Sequence, residues 1–156
     1  MDIQVLASSS KANCIHIQSE AGNLLLDAGL SWPETRKRLH FQTSSLAGIL
    51  ITHQHMDHCR AAKDSSPIPL YSSQETFDAL GLSGHRVHTV RPLESFRVGS
   101  WTVLPFDTIH DCPGSLGFVL ASRDAKVLYL TDSAYCKYQF PGLTHICIEA
   151  NYSKDI

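Results

Sequence analysis

The sequence predicts a β-rich α/β fold, on the basis of its length, its apolar content and the spacing of its apolar runs. The chain has 156 residues, of which 43% are apolar, which is enough for one core and too little for two domains of ordinary size. Short apolar runs alternate with turn residues, a pattern typical of many strands and few helices. No internal repeat is present. We therefore expect a single domain, residues 1–156.

The first three predicted strands form an antiparallel meander. They cover residues 3–6, 14–18 and 23–26. The first two are joined by the polar turn of residues 8–13, and the third follows the Ala21-Gly22 turn. A helix is predicted over residues 32–39, with Ser31 or Trp32 near the N-cap and Pro33 in the first turn, where proline is tolerated.

The middle of the chain mixes strands and helices. The apolar run 48–51 predicts a buried strand that ends at a histidine-rich segment. A helix is expected over residues 59–64, a strand over 68–71 and a second helix over 74–80, which Gly81 ends.

From Val87 onward the strand pattern returns. Pro, Gly and Asp residues separate the short apolar runs, as is typical of strands joined by tight turns. The predicted strands cover residues 88–90, 94–97, 101–106, 115–121, 126–130 and 145–149.

Charge, cysteine content and hydropathy restrict the cellular setting. A formal charge of −2 gives no general attraction for nucleic acid. The five cysteines are odd in number and scattered without a CxxC pair, which indicates free thiols in a reducing compartment. No apolar stretch approaches the roughly 20 residues of a membrane span, and the first residues lack the basic region of a signal peptide. We expect a soluble cytoplasmic protein.

The segment His53-Gln54-His55-Met56-Asp57-His58 carries three imidazoles and a carboxylate directly after the apolar run 48–51. Imidazole nitrogen and carboxylate oxygen both suit zinc and its neighbours. A solvated histidine-rich loop is the alternative interpretation. The position at the end of a buried strand, which fixes the direction of the side chains, favours a metal site.

Polar residues follow other apolar runs in the same way. Asp27 follows the run 24–26, His110 follows the strand through Phe106, and Asp132 follows the run 127–130. Layered α/β proteins place their sites at such strand ends. Taken alone, His110 could be a surface loop residue and Asp132 a turn residue. Their shared context predicts that all of them converge at one edge.

The candidate ligands divide into two sets. We expect one ion at His53, His55 and His110 and a second at Asp57, His58 and Asp132, with Asp132 able to bridge. Asp57 is also the candidate catalytic residue. Two ions can activate a bound hydroxide as the nucleophile, so no Ser or Cys nucleophile is needed. The adjacent Cys59 is expected to pack at the start of a helix.

These residues resemble the metal-binding signature of the metallo-β-lactamase superfamily, whose members fold as an αβ/βα sandwich. The YycJ/WalJ-like branch is the nearest resemblance, on the Leu6-Ala7-Ser8 stretch with its turn to Asn13, residues 25–31, His110-Asp111 and residues 148–151. The resemblance implies the ligand assignment above, with Asp27 orienting a ligand without touching the ion. It also implies metal-dependent phosphodiesterase or DNA exonuclease activity.

The sequence departs from this family pattern in three places. Ser9 and Ala12 stand where the branch carries glycines, and Cys59 opens an unusual continuation after the motif. The family normally supplies a further ligand histidine after the strand that holds Glu149, whereas this sequence ends at residue 156. We therefore expect a fold that lacks the usual C-terminal part, with an incomplete second metal shell and sheet surfaces that pair in a homodimer.

Three functions remain open from the sequence. A nucleic-acid phosphodiesterase is the first, with local phosphate contacts from Arg36, Lys37, Arg38 and Arg60. The second is a hydrolase of small esters, thioesters or lactams, since the same centre can attack carbonyl carbon. The third is a metal-binding protein with weak or no activity. One or two divalent ions are expected, with zinc as the default and manganese or iron as alternatives.

Overall fold

The computed structural model describes residues 1–149, which form two stacked β-sheets with helices on one side. The first sheet has the order β1-β2-β3-β4-β5-β6. Its strands are β1 (Asp2–Ser9), β2 (Ala12–Gln18), β3 (Asn23–Leu26), β4 (Leu46–Leu50), β5 (Leu70–Ser72) and β6 (Val87–Thr89). The predicted antiparallel meander of β1, β2 and β3 is confirmed, and β3 to β6 pair in parallel.

The second sheet has the order β11-β10-β9-β8-β7. Its strands are β7 (Phe96–Val98), β8 (Trp101–Asp107), β9 (Leu116–Ala121), β10 (Lys126–Leu130) and β11 (His145–Ile148). All neighbours are antiparallel except β10 and β11, which run in parallel. The strands predicted in this half of the sequence are confirmed, with bounds that shift by one or two residues.

Two helices start and end at residues that the sequence analysis identified. Helix α1 (Trp32–Arg38) has Ser31 at its N-cap, where the side chain accepts a hydrogen bond from the Glu34 backbone N–H. Helix α3 (Gln74–Leu80) ends at Gly81, whose φ of 64° is left-handed. Glycine adopts that conformation at little cost, which explains the helix end.

The helix predicted over residues 59–64 is wrong. Helix α2 (Met56–Cys59) begins inside the histidine-rich segment, with His55 as its N-cap residue. The chain then leaves the helix because the Ala61 backbone N–H bonds to the Ala28 carbonyl, which lies beyond β3, at 2.9 Å. Cys59 is therefore buried at the end of a helix, not at its start.

Alternation along β3 explains how the layers pack. Leu24 and Leu26 face the second sheet, where they meet a core that includes Trp101 and Phe118. Leu25 points to the other side, toward the helices. Successive residues of a strand face opposite sides of the sheet, so this short apolar run contributes to both cores. The ends of β3, β4, β8 and β10 then meet at one edge.

Two further observations concern the helices and the end of the described part of the chain. Within residues 1–149, no helix is both long and apolar enough to cross a membrane. Asn151, which contributed to the family resemblance, lies outside the described residues.

Candidate metal centre

Three of the predicted imidazoles meet at the edge where β4 and β8 end. His55 Nδ1 lies 3.2 Å from His53 Nε2 and 3.3 Å from His110 Nε2. A tetrahedral ion with metal–nitrogen distances of about 2.0–2.1 Å separates its nitrogen ligands by about 3.3–3.4 Å. His55 Nδ1 thus lies at about this separation from both other nitrogens, and all three lie within 4.8 Å of one another, so the first predicted ligand set fits a metal.

The second predicted set lies beside the first. His58 Nε2 is 2.7 Å from Asp132 Oδ2 and 3.2 Å from Asp57 Oδ2. The same Asp132 oxygen is 3.4 Å from His53 Nε2, so it stands between the two groups of ligands. One imidazole and two carboxylates are a donor set suited to a second divalent ion. Asp132 Oδ2 thus lies within 3.4 Å of an imidazole nitrogen of each group.

Asp27 lies behind His58 and is completely buried. Its carboxylate accepts hydrogen bonds from the Thr52 backbone N–H at 2.8 Å, the Tyr129 hydroxyl at 2.7 Å and His58 Nδ1 at 2.7 Å. A hydrogen bond at Nδ1 fixes the orientation of the imidazole and directs Nε2 toward a metal. Asp27 thus contacts the Nδ1 side of His58, and its role in orienting a ligand, which the resemblance implied, stays a prediction.

The surroundings of His53 and His58, the two fully buried imidazoles, shift their pKa values in opposite directions. Burial lowers the pKa of His58, but the hydrogen bond and charge of Asp27, together with Asp57 and Asp132, outweigh burial and raise this pKa to about 9. Burial and the charge of His58 lower the pKa of His53 to about 4. At neutral pH, His53 therefore has a free lone pair for an ion, whereas an ion at His58 Nε2 must displace a proton.

Asn13 is part of the site although the sequence analysis placed it only in a turn. Its Nδ2 donates to Asp57 Oδ2 at 3.2 Å and to the Ser9 carbonyl at 3.0 Å. The side chain is buried, so it fixes the Asp57 carboxylate beside His58. Local sequence could not reveal this contact, because 44 positions separate the two residues.

Cys112 is the second residue that the sequence analysis missed. Its Sγ and the ligand nitrogens of His53, His55 and His110 all lie within 4.8 Å of one another. The thiol is buried, with 6% of the residue exposed. The spacing His110-x-Cys112 repeats that of His53-x-His55, and this was the available signal.

The basic residues expected to contact phosphate have other contacts in the structure. Arg38 bonds to Glu34 and to the Leu6 carbonyl, and Arg36 lies over the Phe41 ring. Arg60 is exposed close to the site, and its Nε donates to the Gly29 carbonyl at 3.3 Å.

Comparison with known proteins agrees with the geometry. Residues 22–147, well over half of the chain, match the family model described as the beta-lactamase superfamily domain. The chain belongs to the beta-lactamase superfamily. Its two-sheet architecture is the metallo-β-lactamase fold, seen also in a motif mutant of the metallo-β-lactamase from Cronobacter sakazakii. That structure is 15% identical, with a TM-score of 0.68, over 91% of this chain and 62% of its own.

Two curated relatives in this superfamily are named as nucleases. Exodeoxyribonuclease YycJ from Bacillus anthracis is 26% identical over 92% of this chain and 58% of its own length. Exodeoxyribonuclease WalJ from Streptococcus pneumoniae is 25% identical over 97% of this chain and 63% of its own length. The chain therefore spans about 60% of the length of these relatives.

Proposed function

We propose that this chain is a metal-dependent phosphodiesterase with nuclease-like activity. The observation that carries the proposal is the pair of ligand sets that meet at Asp132, since two adjacent ions suit the displacement reaction at a phosphodiester. The two exodeoxyribonuclease relatives support DNA as the substrate class.

The residues of the chain hold the proposed ions in two groups. His53, His55 and His110 bind the first, and His58, Asp57 and Asp132 bind the second. Zinc is the proposed metal, because its preference for imidazole and carboxylate ligands matches both groups, while manganese and iron remain alternatives. Bound divalent ions would lower the pKa of coordinated water toward about 7 and polarise the scissile group.

Asp57 is the proposed proton acceptor. Its Oδ2 faces the ligand cluster and the side chain is partly exposed, so water and substrate can reach it. The amide of Asn13 holds that oxygen in place, and Asp27 holds His58 opposite it. The carboxylate can take the proton of an attacking water without a large rearrangement.

Metal content and substrate choice test the proposal together. Elemental analysis of the purified protein should find two ions per chain, and fewer in His110→Ala and Asp132→Ala. The protein should hydrolyse bis(4-nitrophenyl) phosphate and end-labelled DNA. Both variants should lose more of this activity than the about 10–100-fold loss that is typical for residues that only orient ligands. His145→Ala is the matched control, because His145 is exposed in β11 and should be dispensable.

Three results would contradict the proposal. Absence of bound metal in the parent protein would remove the metal centre. Hydrolysis of a thioester or a lactam without hydrolysis of either phosphodiester would favour the small-molecule hydrolase. Bound metal without activity on any of these substrates would identify a metal-binding protein.

A further inference from the structure

Cys112 is held against the first ligand set by the loop that follows β8. The loop is fixed at its base by a 2.7 Å hydrogen bond between the Thr108 and Ser115 hydroxyls. It is fixed again where the Ile109 backbone N–H donates to Ser133 Oγ at 3.0 Å. Because His110 and Cys112 share this short loop, the contacts that position the imidazole also position the sulfur.

The environment of Cys112 differs from that of Cys59, which directly follows His58 in the sequence. Cys59 Sγ donates to the carbonyl oxygens of Gln54 and His55, each at 3.2 Å. Cys59 is therefore a thiol whose proton is engaged in hydrogen bonds. Burial and the charge of Asp111 raise the pKa of the Cys112 thiol, and the Gln54 backbone N–H opposes this rise. The difference that matters is position: Cys112 Sγ and the ligand nitrogens of His53, His55 and His110 lie within 4.8 Å of one another, whereas Cys59 Sγ faces two carbonyl oxygens.

We propose that the Cys112 thiolate is the fourth protein ligand of the ion bound by His53, His55 and His110. The inference rests on the metal centre of the proposed function. Coordination replaces the thiol proton, which passes to solvent, and it involves no change of oxidation state. Three imidazoles with one thiolate form a donor set that zinc accepts in tetrahedral geometry.

This ligand assigns different roles to the two ions. The three imidazoles, the thiolate and the Asp132 oxygen beside His53 would together fill the shell of a four- or five-coordinate first ion. Water and substrate would then bind at the group formed by His58, Asp57 and Asp132, where the carboxylates are partly exposed. The first ion would hold the loops after β4 and β8 together. It would also hold Asp132 in position for the second ion.

Cobalt substitution tests the inference by spectroscopy, without a need for activity. The cobalt-loaded parent protein should show visible d–d bands together with a thiolate-to-cobalt charge-transfer band in the near ultraviolet. Cys112→Ser should keep the d–d bands and lose the charge-transfer band. Cys59→Ser is the matched control and should keep both, because the serine hydroxyl can donate to the same two carbonyl oxygens.

The outcomes separate this inference from the proposed function. Visible d–d bands without a charge-transfer band in the parent, or a charge-transfer band that survives in Cys112→Ser, would overturn the Cys112 ligand alone. Absence of any cobalt band would overturn the metal centre itself. X-ray absorption of the zinc-loaded parent needs no variant: it should require a sulfur scatterer at about 2.3 Å. A shell of only nitrogen and oxygen would again exclude Cys112.

Discussion

Asp27 is a buried carboxylate that forms hydrogen bonds to three different elements of the fold. It follows β3, and its partners are Thr52 after β4, His58 in α2 and Tyr129 in β10. Its φ of 60° is left-handed, a conformation that costs energy for residues other than glycine. The hydrogen bonds offset this cost and hold the imidazole of His58 in one orientation.

Replacement of Asp27 by Asn should therefore weaken both the fold and the metal site. We expect metal affinity to fall about 10–100-fold, as is typical when the partner of a ligand histidine is lost. The free energy of unfolding should fall by about 3–5 kcal/mol, because the buried His58 loses its counter-charge. Competition with a chromophoric chelator and urea titration measure the two effects. Asp124→Asn, at an exposed position, is the control, and equal metal affinity in both variants would contradict the role of Asp27.

Tyr129→Phe isolates one hydrogen bond to the same carboxylate. Tyr129 is 1% exposed and its hydroxyl donates to Asp27 Oδ2, so removing it leaves that oxygen with one donor fewer. The free energy of unfolding should fall by about 1–3 kcal/mol. Urea titration checks this value against Tyr135→Phe, whose ring is 62% exposed and whose loss of a hydroxyl should have no measurable effect.

At the scale of elements, the contact between the loop after β3 and helix α2 fixes the position of Asp57. A Cβ at Gly29 would lie 1.7 Å from the Asp57 carbonyl oxygen and 2.6 Å from the Asn13 backbone nitrogen. No side chain fits there, so glycine is required by close approach of backbone. The approach brings α2 against the start of β2, where Asn13 reaches Asp57.

Gly29→Ala should displace α2 and its ligands. We expect a loss of at least about 1–3 kcal/mol of stability from the steric overlap, together with weaker binding at the second ligand set. Gly142→Ala is a useful comparison, because a Cβ there meets nothing within 4 Å and only its φ of 75° is unfavourable. Thermal unfolding and elemental analysis measure both variants. Unchanged metal content in Gly29→Ala would show that the contact does not position α2.

Elements differed in how well the sequence predicted them. Helices α1 and α3 were predicted because Ser31, Pro33 and Gly81 act locally, within a few residues. The bounds of helix α2 were not predicted, because its end depends on the hydrogen bond from the Ala61 backbone N–H to the carbonyl of Ala28, which follows β3. A local pattern cannot report a hydrogen bond formed only after the sheet has assembled.

At the scale of the whole molecule, β11 forms one edge of the second sheet within the described residues. Ile146 and Ile148 on this strand are 60% and 58% exposed. Exposed apolar residues on an edge strand favour pairing with another chain. This edge is the surface through which we expect the homodimer to form. The homodimer itself stays a prediction.

We predict that the protein is a dimer at micromolar concentration and that Ile148→Lys shifts it toward monomer. A lysine on an edge strand opposes strand pairing through its charge and its need for water. Light scattering measures the mass of both forms. Phe41→Lys, at an exposed apolar residue in the loop after α1, should leave the dimer intact, and a stable monomer in the parent protein would end this prediction.

By itself, the sequence determined the fold class, the positions of nearly all strands along the chain and the candidate ligands His53, His55, Asp57, His58, His110 and Asp132. It did so because these features depend on apolar periodicity and on polar residues placed at strand ends, which are both local. Tertiary structure decided which atoms meet. Only the folded chain brings Asn13 to Asp57, Tyr129 to Asp27 and Cys112 to the imidazoles. Such contacts join residues that are distant along the chain, and their formation requires the register and packing of both sheets.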